Sequence, residues 1–407
     1  MNQNEREYLR DLAKKIAEYS ETEENKEKAR AWRAHNDLKS GARAMILCDP
    51  ENGWNEIFPL SSYVCESSEA RYWEFILKRD IFSFEKLKDD RVLERKVYAG
   101  VASRSTGWGL DIKHQISEVN GAYHVDPVLD DYEKMELMHY PEITYDKEAT
   151  EKGLEQTKEL FQDILDVEVK GIYWWSLGLS NQAIEYRGLE NFMFDMYDYP
   201  DELHRLMNFL CEGNLKMLES LEKQGILYQN TENCYVGSGG YGFTDSLKKV
   251  TGRAVTPKDM WGFTESQETV SVSPEMFEEF VFPYQLKIAE KFGLNCYGCC
   301  EPLDLRWNIV KQIPNLRRVS VSHWADAKKM SEYLEDKYVF SLKPSPSYLA
   351  MPQMNAEAAE QELREKVGYA RANHCHIEVI MKDNHTLGNN PENAVNWVKI
   401  ARKILND

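Results

Sequence analysis

The sequence predicts an α/β fold in which parallel strands close into a (β/α)8 TIM barrel, and three observations support it. Short apolar runs typical of buried strands alternate with helical stretches from about residue 169 to the C-terminus. These runs number eight when Ala42–Cys48 is included, and strands that alternate with helices form parallel sheets. At 407 residues, the chain has the length of one large barrel with additions.

The chain begins with charged, helical sequence, and we predict an N-terminal helical extension over residues 1–40. Charges of both signs crowd residues 18–33, as in a helix face exposed to solvent rather than a core helix. Residues 41–407 are then one barrel domain, with Ala42–Cys48 as its first strand. Residues 60–150 lack the regular alternation, so the first 150 residues contain an excursion from the barrel.

The later strands and helices follow in turn. The predicted strands are Val169–Trp175, Ile226–Asn230, Trp261–Glu265, Leu294–Gly298, Arg318–Ser322, Tyr338–Lys343 and Ile377–Lys382. The predicted helices include Glu202–Lys223, Pro274–Phe292, Ala327–Asp336 and Ala356–Ala372. Ser273 before Pro274 is a helix-start signal, and Asn355 can cap a helix. The alternative, an open doubly wound sheet, lacks the glycine fingerprint of a dinucleotide site.

Composition narrows the function classes. The net charge of −18 repels phosphate backbones, so nucleic acid is a poor partner. No run of about eighteen apolar residues predicts a membrane span. The polar N-terminus lacks the apolar region of a signal peptide, and eight cysteines without a regular spacing favour reduced thiols in the cytoplasm.

In a barrel, the C-terminal ends of the strands converge on one mouth, where barrel enzymes place their sites. Polar and aromatic residues follow several predicted strands at this end. The candidate substrate-binding residues are Trp174, Trp175, Asn230, Gln267 and Lys343. The two tryptophans would give an aromatic ring a flat, apolar wall.

A cluster of thiols follows the strand at Leu294–Gly298. Cys296, Cys299 and Cys300 stand within five positions, directly before Glu301. Thiolates at this density suit zinc, which prefers sulfur and nitrogen ligands. A redox device and ordinary core cysteines are the alternatives.

Three further residues are candidates with open roles. Glu265 follows a nearly apolar strand, where a carboxylate needs a cation or hydrogen bonds, so a metal, a base role and a structural ion pair are all open. Glu301 precedes Pro302, so it is also a candidate helix-start acid. His385 is the best-placed histidine for zinc, and a loop histidine bonded to a carbonyl is the alternative.

The second half of the chain resembles the uroporphyrinogen decarboxylase superfamily, and within it the branch of corrinoid-dependent methyltransferases and their uncharacterised relatives in anaerobic bacteria. The resemblance implies a (β/α)8 barrel of a kind that often pairs into homodimers. It runs from about Arg187 to the C-terminus and rests on the segments 187–191, 195–198, 261–267, 297–302 and 382–386.

The resemblance also implies a zinc site. In the methyltransferase relatives, a His-x-Cys-Gly motif at this strand end supplies two zinc ligands, and a third comes from near the last strand. If Cys299 takes the place of that cysteine, Tyr297 stands where the histidine would be. Cys300 or Cys296 then replaces the histidine, and Glu265 or His385 completes the set.

The function predicted from this resemblance is zinc-dependent methyl transfer. The methyl group would come from a small methylated compound, with an aromatic methyl ether (O-demethylation) favoured, and pass to the corrinoid of a separate partner protein. Glu265, Tyr297 and Glu301 are the predicted catalytic residues, and Cys299, Cys300, His385 and Glu265 the predicted metal ligands. The alternatives are a metal-independent decarboxylase and a non-catalytic barrel that senses zinc or thiol oxidation.

Overall fold

The structure is a computed structural model, and it describes residues 1–112, 114–116, 123–173 and 176–407. The strands are β1 (Met45–Cys48), β2 (Lys96–Gly100), β3 (Ser103–Ser105), β4 (His114–Ile116), β5 (Tyr123–Val125), β6 (Ile143–Tyr145), β7 (Asp166–Lys170), β8 (Tyr235–Val236), β9 (Gly240–Tyr241), β10 (Trp261–Thr264), β11 (Leu294–Tyr297), β12 (Leu316–Val321), β13 (Val339–Leu342) and β14 (His376–Met381).

The helices alternate with the later strands. They are α1 (Gln3–Ser20), α2 (Glu23–Asn36), α3 (Trp54–Ile57), α4 (Ser68–Phe82), α5 (Lys147–Phe161), α6 (Ser180–Arg187), α7 (Leu189–Asp198), α8 (Pro200–Lys223), α9 (Pro274–Phe280), α10 (Phe282–Ala289), α11 (Trp307–Val310), α12 (Ala327–Leu334), α13 (Ala356–Ala372) and α14 (Glu392–Asn406). Within the described residues, no helix has an apolar stretch long enough to cross a bilayer.

Six strands form one parallel sheet in the order β1-β14-β13-β12-β11-β10. This confirms the predicted parallel α/β arrangement for six of the eight predicted strands. Because the strands are parallel, their C-terminal ends lie along one edge of the sheet, called the C-terminal edge below.

Hydrogen bonding among the described residues does not close this sheet into a barrel. The predicted strand at 226–230 is reduced to an isolated bridge between Ile172 and Leu227. Beside β10, the side-chain amide of Asn230 takes over the pairing: its Nδ2 donates to Trp261 O at 3.0 Å, and its Oδ1 accepts from Trp261 N at 2.8 Å. A side chain thus makes the contacts that a continuous strand would make with its backbone.

The N-terminal helices are more deeply packed than their charge suggests. Leu9, Ala13 and Ile16 of α1 join a core with residues of α4 and α5. On α2, Trp32, His35 and Asn36 are fully buried, and Trp32 lies within residues 18–33, where a solvated face was expected. The helix combines an exposed charged face with a buried one, and the buried face includes polar residues that a hydrophobic pattern does not reveal.

These polar residues of α2 reach a buried ion cluster in the sheet. Arg318 on β12 lies 3.0 Å from Glu378 on β14, and both are at most 1% exposed. Asn36 Oδ1 accepts a hydrogen bond from Arg318 at 2.7 Å, and His35 Nε2 is 3.3 Å from Glu378. Burial alone would raise the pKa of Glu378, but the charge of Arg318 and contact with His35 hold it below its ordinary value.

We expect Arg318→Met to lower the free energy of unfolding by about 3–5 kcal/mol, because it leaves a buried carboxylate unpaired. The lowered pKa of Glu378 means that the wild-type pair contributes stability above the unfolded pKa of a glutamate and loses it as the pH falls. Denaturant unfolding at several pH values measures both effects. Arg364→Met removes an exposed ion pair and is the matched control, with almost no expected loss. An equally small loss in Arg318→Met would contradict the role given to the cluster.

Candidate active site

The C-terminal edge of the sheet brings together three buried ionisable residues. Glu265 follows β10, Cys299 follows β11 and Lys382 follows β14. Their exposed fractions are 2%, 2% and 6%. Ionisable groups that are buried at the strand ends of a parallel sheet are candidates for catalysis.

Cys299 is surrounded by groups that stabilise its thiolate. Lys382 Nζ lies 3.4 Å from Cys299 Sγ, Ser238 Oγ donates to the sulfur at 3.3 Å, and Cys300 Sγ is 3.6 Å away. The hydrogen bond from Cys300 lowers the pKa of Cys299 to about 7, and Lys382 and Ser238 add to this effect against burial. The same bond raises the pKa of Cys300, which therefore stays protonated. Cys299 is thus substantially a thiolate at neutral pH.

Lys382 keeps its charge in this setting. Its Nζ is 2.7 Å from Asp383 Oδ1, and Cys300 Sγ lies 3.3 Å from Asp383 Oδ2. Burial works to lower the pKa of Lys382, but the charges of Cys299 and Asp383 raise it above the ordinary value. The ammonium therefore lies between a thiolate and a carboxylate.

Ser238 reaches the thiol from a glycine-rich loop between β8 and β9. Gly237 and Gly239 have φ values of +65° and +118°, which favour glycine. A Cβ on Gly237 would come 2.9 Å from Cys296 Cβ, and one on Gly240 would come 2.3 Å from Arg318 Cζ. The glycines therefore allow the loop to lie directly against β11 and β12 and to cover the thiol.

We expect Lys382→Met to raise the pKa of Cys299 from about 7 to that of an ordinary thiol or higher, because the cation is lost while the burial remains. The far-ultraviolet absorbance of the thiolate, taken as the difference between each protein and its Cys299→Ser counterpart, follows this titration. Lys366→Met removes a lysine that is paired with Glu362 and is the matched control. An unchanged titration in Lys382→Met would contradict the proposed pairing.

A cavity of about 190 Å³ lies at Glu265, and Glu265, Gln267, Glu268 and Ser176 are among the residues that line it. Glu265 Oε1 accepts a hydrogen bond from Ser176 Oγ at 3.0 Å. Burial, with the nearby charges of Glu268 and Glu301, raises the pKa of Glu265 well above its ordinary value. The raised pKa favours the protonated form of Glu265, which can donate a proton into the cavity.

Glu301 and Tyr297, both predicted to be catalytic, make contacts that position other groups. The Glu301 carboxylate accepts from Ser266 N at 2.9 Å and from Cys299 N at 2.8 Å, so it joins the loops that carry Glu265 and Cys299. The Tyr297 hydroxyl donates to Gln285 Oε1 at 2.8 Å. The amide of Gln285 in turn donates to Glu265 O at 2.8 Å. Both residues fix the backbone around the site.

The predicted substrate-binding residues are dispersed. Gln267 lines the cavity beside Glu265, whereas Asn230 uses its amide on the backbone of β10. Lys343 is 4% exposed and donates to Ser341 Oγ, and burial lowers its pKa to about 8. Trp174 and Trp175 lie outside the described residues, so their predicted role stays a prediction.

The predicted zinc ligands are not gathered around one point. Cys299 and Cys300 are adjacent, but Glu265 contacts Ser176, and the Nδ1 of His385 lies 3.4 Å from Asn52 Nδ2. No three His, Cys, Asp or Glu side chains within the described ranges are placed to hold a metal ion.

The ammonium group of Lys382 lies between Cys299 and Asp383, in the position that a zinc ion bound to these residues would occupy. Cys296, the alternative ligand, accepts instead from Arg318 at 3.7 Å. In this arrangement, the residues do not fit a zinc site, and elemental analysis of the purified protein tests the predicted metal directly.

Sequence reasoning gave no role to four residues of the site, Lys382, Asp383, Ser238 and Glu268. Lys382 and Asp383 stand directly after the last predicted strand, so their position at the C-terminal edge was visible. Glu268 is three residues after Glu265 and lines the same cavity. Ser238 is in the glycine-rich loop, and nothing in the sequence shows that this loop folds over Cys299.

No protein-family model and no curated protein matches the chain. Among solved structures, it is similar to a methyltransferase from Methanosarcina mazei, with a TM-score of 0.52 and 12% sequence identity. The alignment covers 92% of this chain and 98% of that one. The likeness therefore concerns the whole architecture rather than a shared segment, and the chain has the fold of a solved methyltransferase.

Proposed function

We propose that the chain is a methyltransferase that moves a methyl group from a small methylated compound to the cobalt of a separate corrinoid protein. An aromatic methyl ether is the proposed donor. The observation that carries the proposal is the Cys299 thiol, with a pKa of about 7, beside Lys382 at the C-terminal edge. The fold likeness to a methyltransferase supports it.

In the first step, Cys299 Sγ attacks the methyl carbon of the donor. The S–C bond forms as the C–O bond breaks, and the electron pair of that bond goes to the ether oxygen. An ether oxygen is a poor leaving group, so Glu265 gives it a proton and becomes a carboxylate. The products of this step are S-methylated Cys299 and a phenol.

In the second step, the methyl group passes to the reduced acceptor, and the thiolate of Cys299 is restored. Glu265 then regains a proton from solvent. Lys382 stabilises the thiolate in both the resting and the final state, because its ammonium lies 3.4 Å from the sulfur. No step in this scheme requires a bound metal.

The acid and the thiol are linked through electrostatics and through a shared hydrogen-bond partner. The charge of Cys299 contributes to the raised pKa of Glu265. The Glu301 carboxylate also binds the backbone of Cys299 and of Ser266, the residue after Glu265. The two reacting groups are therefore held by one shared anchor.

An exposed apolar rim supports the proposal that a partner protein docks at this edge. Val270, Leu305, Trp324 and Met351 follow β10, β11, β12 and β13 and are 51%, 70%, 73% and 55% exposed. Each of four successive loops thus presents one large apolar side chain to solvent. Exposed apolar groups that cluster in this way are typical of protein-binding surfaces.

Turnover of 4-methoxybenzoate, with chemically reduced free cobalamin as the acceptor, tests the proposed function. We expect formation of 4-hydroxybenzoate and a matching amount of methylated acceptor, with the same rate after zinc chelation. A rate that requires added zinc would favour the predicted zinc-dependent mechanism. Release of carbon dioxide without demethylation would favour the decarboxylase alternative.

A further inference from the structure

A second cavity, of about 320 Å³, lies near Lys382, whose charge acts on Tyr235 of its lining. The lining includes Asp49, Arg79, Asp80, Arg91 and Lys170, together with three tyrosines. Its volume is in the range of small-molecule sites. Three cationic side chains and three tyrosines in one cavity are unusual in a chain with a net charge of −18.

Arg91 is the most informative residue of this cavity. It is 7% exposed, yet its guanidinium makes no hydrogen bond to any residue that the structure describes, and its Nε is buried without a partner. Its nearest carboxylates, Asp49 and Asp80, are both 3.9 Å away. A buried guanidinium is normally saturated with hydrogen bonds, so this one has donors left for a ligand.

Lys170 adds a second cation, which packs against aromatic rings. Its Nζ lies 4.8 Å from the ring centroid of Tyr98 and 5.4 Å from those of Tyr173 and Tyr228. Its charge also acts on the carboxyl of Glu94, whose pKa is raised by burial. The aromatic rings hold the ammonium in place without neutralising it.

The charges of the lining decide the class of ligand. Within the lining, Arg79, Arg91 and Lys170 oppose Asp49 and Asp80, so three cations against two anions leave one positive charge. Asp89 and Glu94 act on Arg91 and Lys170 from outside the lining, and burial raises the pKa of both acids. Arg79 is already paired with Asp80 at 2.9 Å. A monoanion such as a carboxylate neutralises the remaining positive charge, whereas a phosphate dianion would leave the cavity with a net negative charge. Planar guanidinium groups bind carboxylates with two parallel hydrogen bonds.

We propose that this cavity binds the carboxylate of a small aromatic acid, with the acid group on Arg91 and Lys170 and the ring against the tyrosines. The cavity adjoins the thiol site, because Asp49 N donates to Met381 O at 2.9 Å and Met381 directly precedes Lys382. This proposal rests on the proposed function, and it makes the methyl donor an aromatic acid that carries the methyl ether.

Isothermal titration calorimetry with 4-methoxybenzoate tests the site in the Cys299→Ser protein, in which the proposed methyl transfer cannot begin, so the chemistry does not affect the result. We expect saturable binding to this protein, reduced about tenfold or more when Arg91→Met is added. Arg95→Met, which changes a nearby exposed arginine, should leave this binding unchanged. Lys170→Met provides a second variant whose half-buried side chain is less important for folding, and thermal melting checks both proteins.

Two control ligands test the contribution of the aromatic ring and the preference for a carboxylate. Cyclohexanecarboxylate should bind more weakly than 4-methoxybenzoate, because it cannot stack on the tyrosines. Inorganic phosphate should bind more weakly as well. No binding of 4-methoxybenzoate, equal binding by folded Arg91→Met and Lys170→Met proteins, or tighter binding of phosphate would overturn the proposal. Binding of 4-methoxybenzoate without demethylation would support the binding site and contradict the proposed methyl transfer.

Discussion

Replacement of Glu265 by glutamine should slow methyl transfer by about 10²–10⁴-fold, the usual contribution of a general acid. Glutamine keeps the shape of the side chain and its hydrogen bond to Ser176 but has no proton to give to the leaving oxygen. The wild-type rate should also fall as the pH rises through the raised pKa of Glu265. Steady-state rates of phenol formation over a pH series measure both effects.

The stability of the same variant distinguishes catalysis from a structural role. Because the folded-state pKa of Glu265 is raised, ionisation favours the unfolded chain above the unfolded pKa, and the wild-type protein loses stability as the pH increases. Glutamine does not ionise, so Glu265→Gln should be at least as stable as the wild type at neutral pH. Glu275→Gln, on the surface of α9, is the control for the rate. A destabilised variant, or one with nearly the wild-type rate, would remove Glu265 as the acid.

Cys299→Ser should lower the rate further, by on the order of 10⁴-fold or more, because an alcohol is barely ionised near neutral pH and is a poor nucleophile there. The substitution is nearly isosteric, and the hydrogen bonds from Ser238 and Lys382 can persist. Thermal unfolding should therefore be close to that of the wild type. Single-turnover measurements with 4-methoxybenzoate detect the loss of the first step.

Cys375→Ser is the matched control, because Cys375 is half-buried directly before β14, at the opposite end of that strand from Lys382. Its rate should equal that of the wild type. Substantial activity in Cys299→Ser would mean that the methyl group reaches the acceptor without passing through this sulfur.

The sequence predicted those strands of the sheet whose apolar pattern agrees with their burial in the folded protein. The apolar runs that became β10 to β14 are buried and parallel, and their ends carry Glu265 and Cys299, as expected from strand direction alone. The backbone contacts of Asn230 were not predicted, because a polar residue at a strand end can bind a substrate or the neighbouring backbone, and the sequence does not distinguish these uses.

The remaining differences come from contacts between distant parts of the chain. His385 follows the last strand but lies beside Asn52, because the loop direction after β14 is set by packing on residues 52–56. The burial of His35 and Asn36 depends on Arg318, about 280 residues away in the sequence. Such pairings involve polar residues, and the hydrophobic periodicity that predicts strands and helices contains no information about them.

The most direct test is the mass of the peptide that contains Cys299 after incubation with 4-methoxybenzoate and no acceptor. We expect one added methyl group on Cys299, its disappearance when reduced cobalamin is supplied, and no label in Cys299→Ser. Formation of 4-hydroxybenzoate and methylated cobalamin at full rate with Cys299 never methylated would contradict the central claim that this thiolate carries the methyl group.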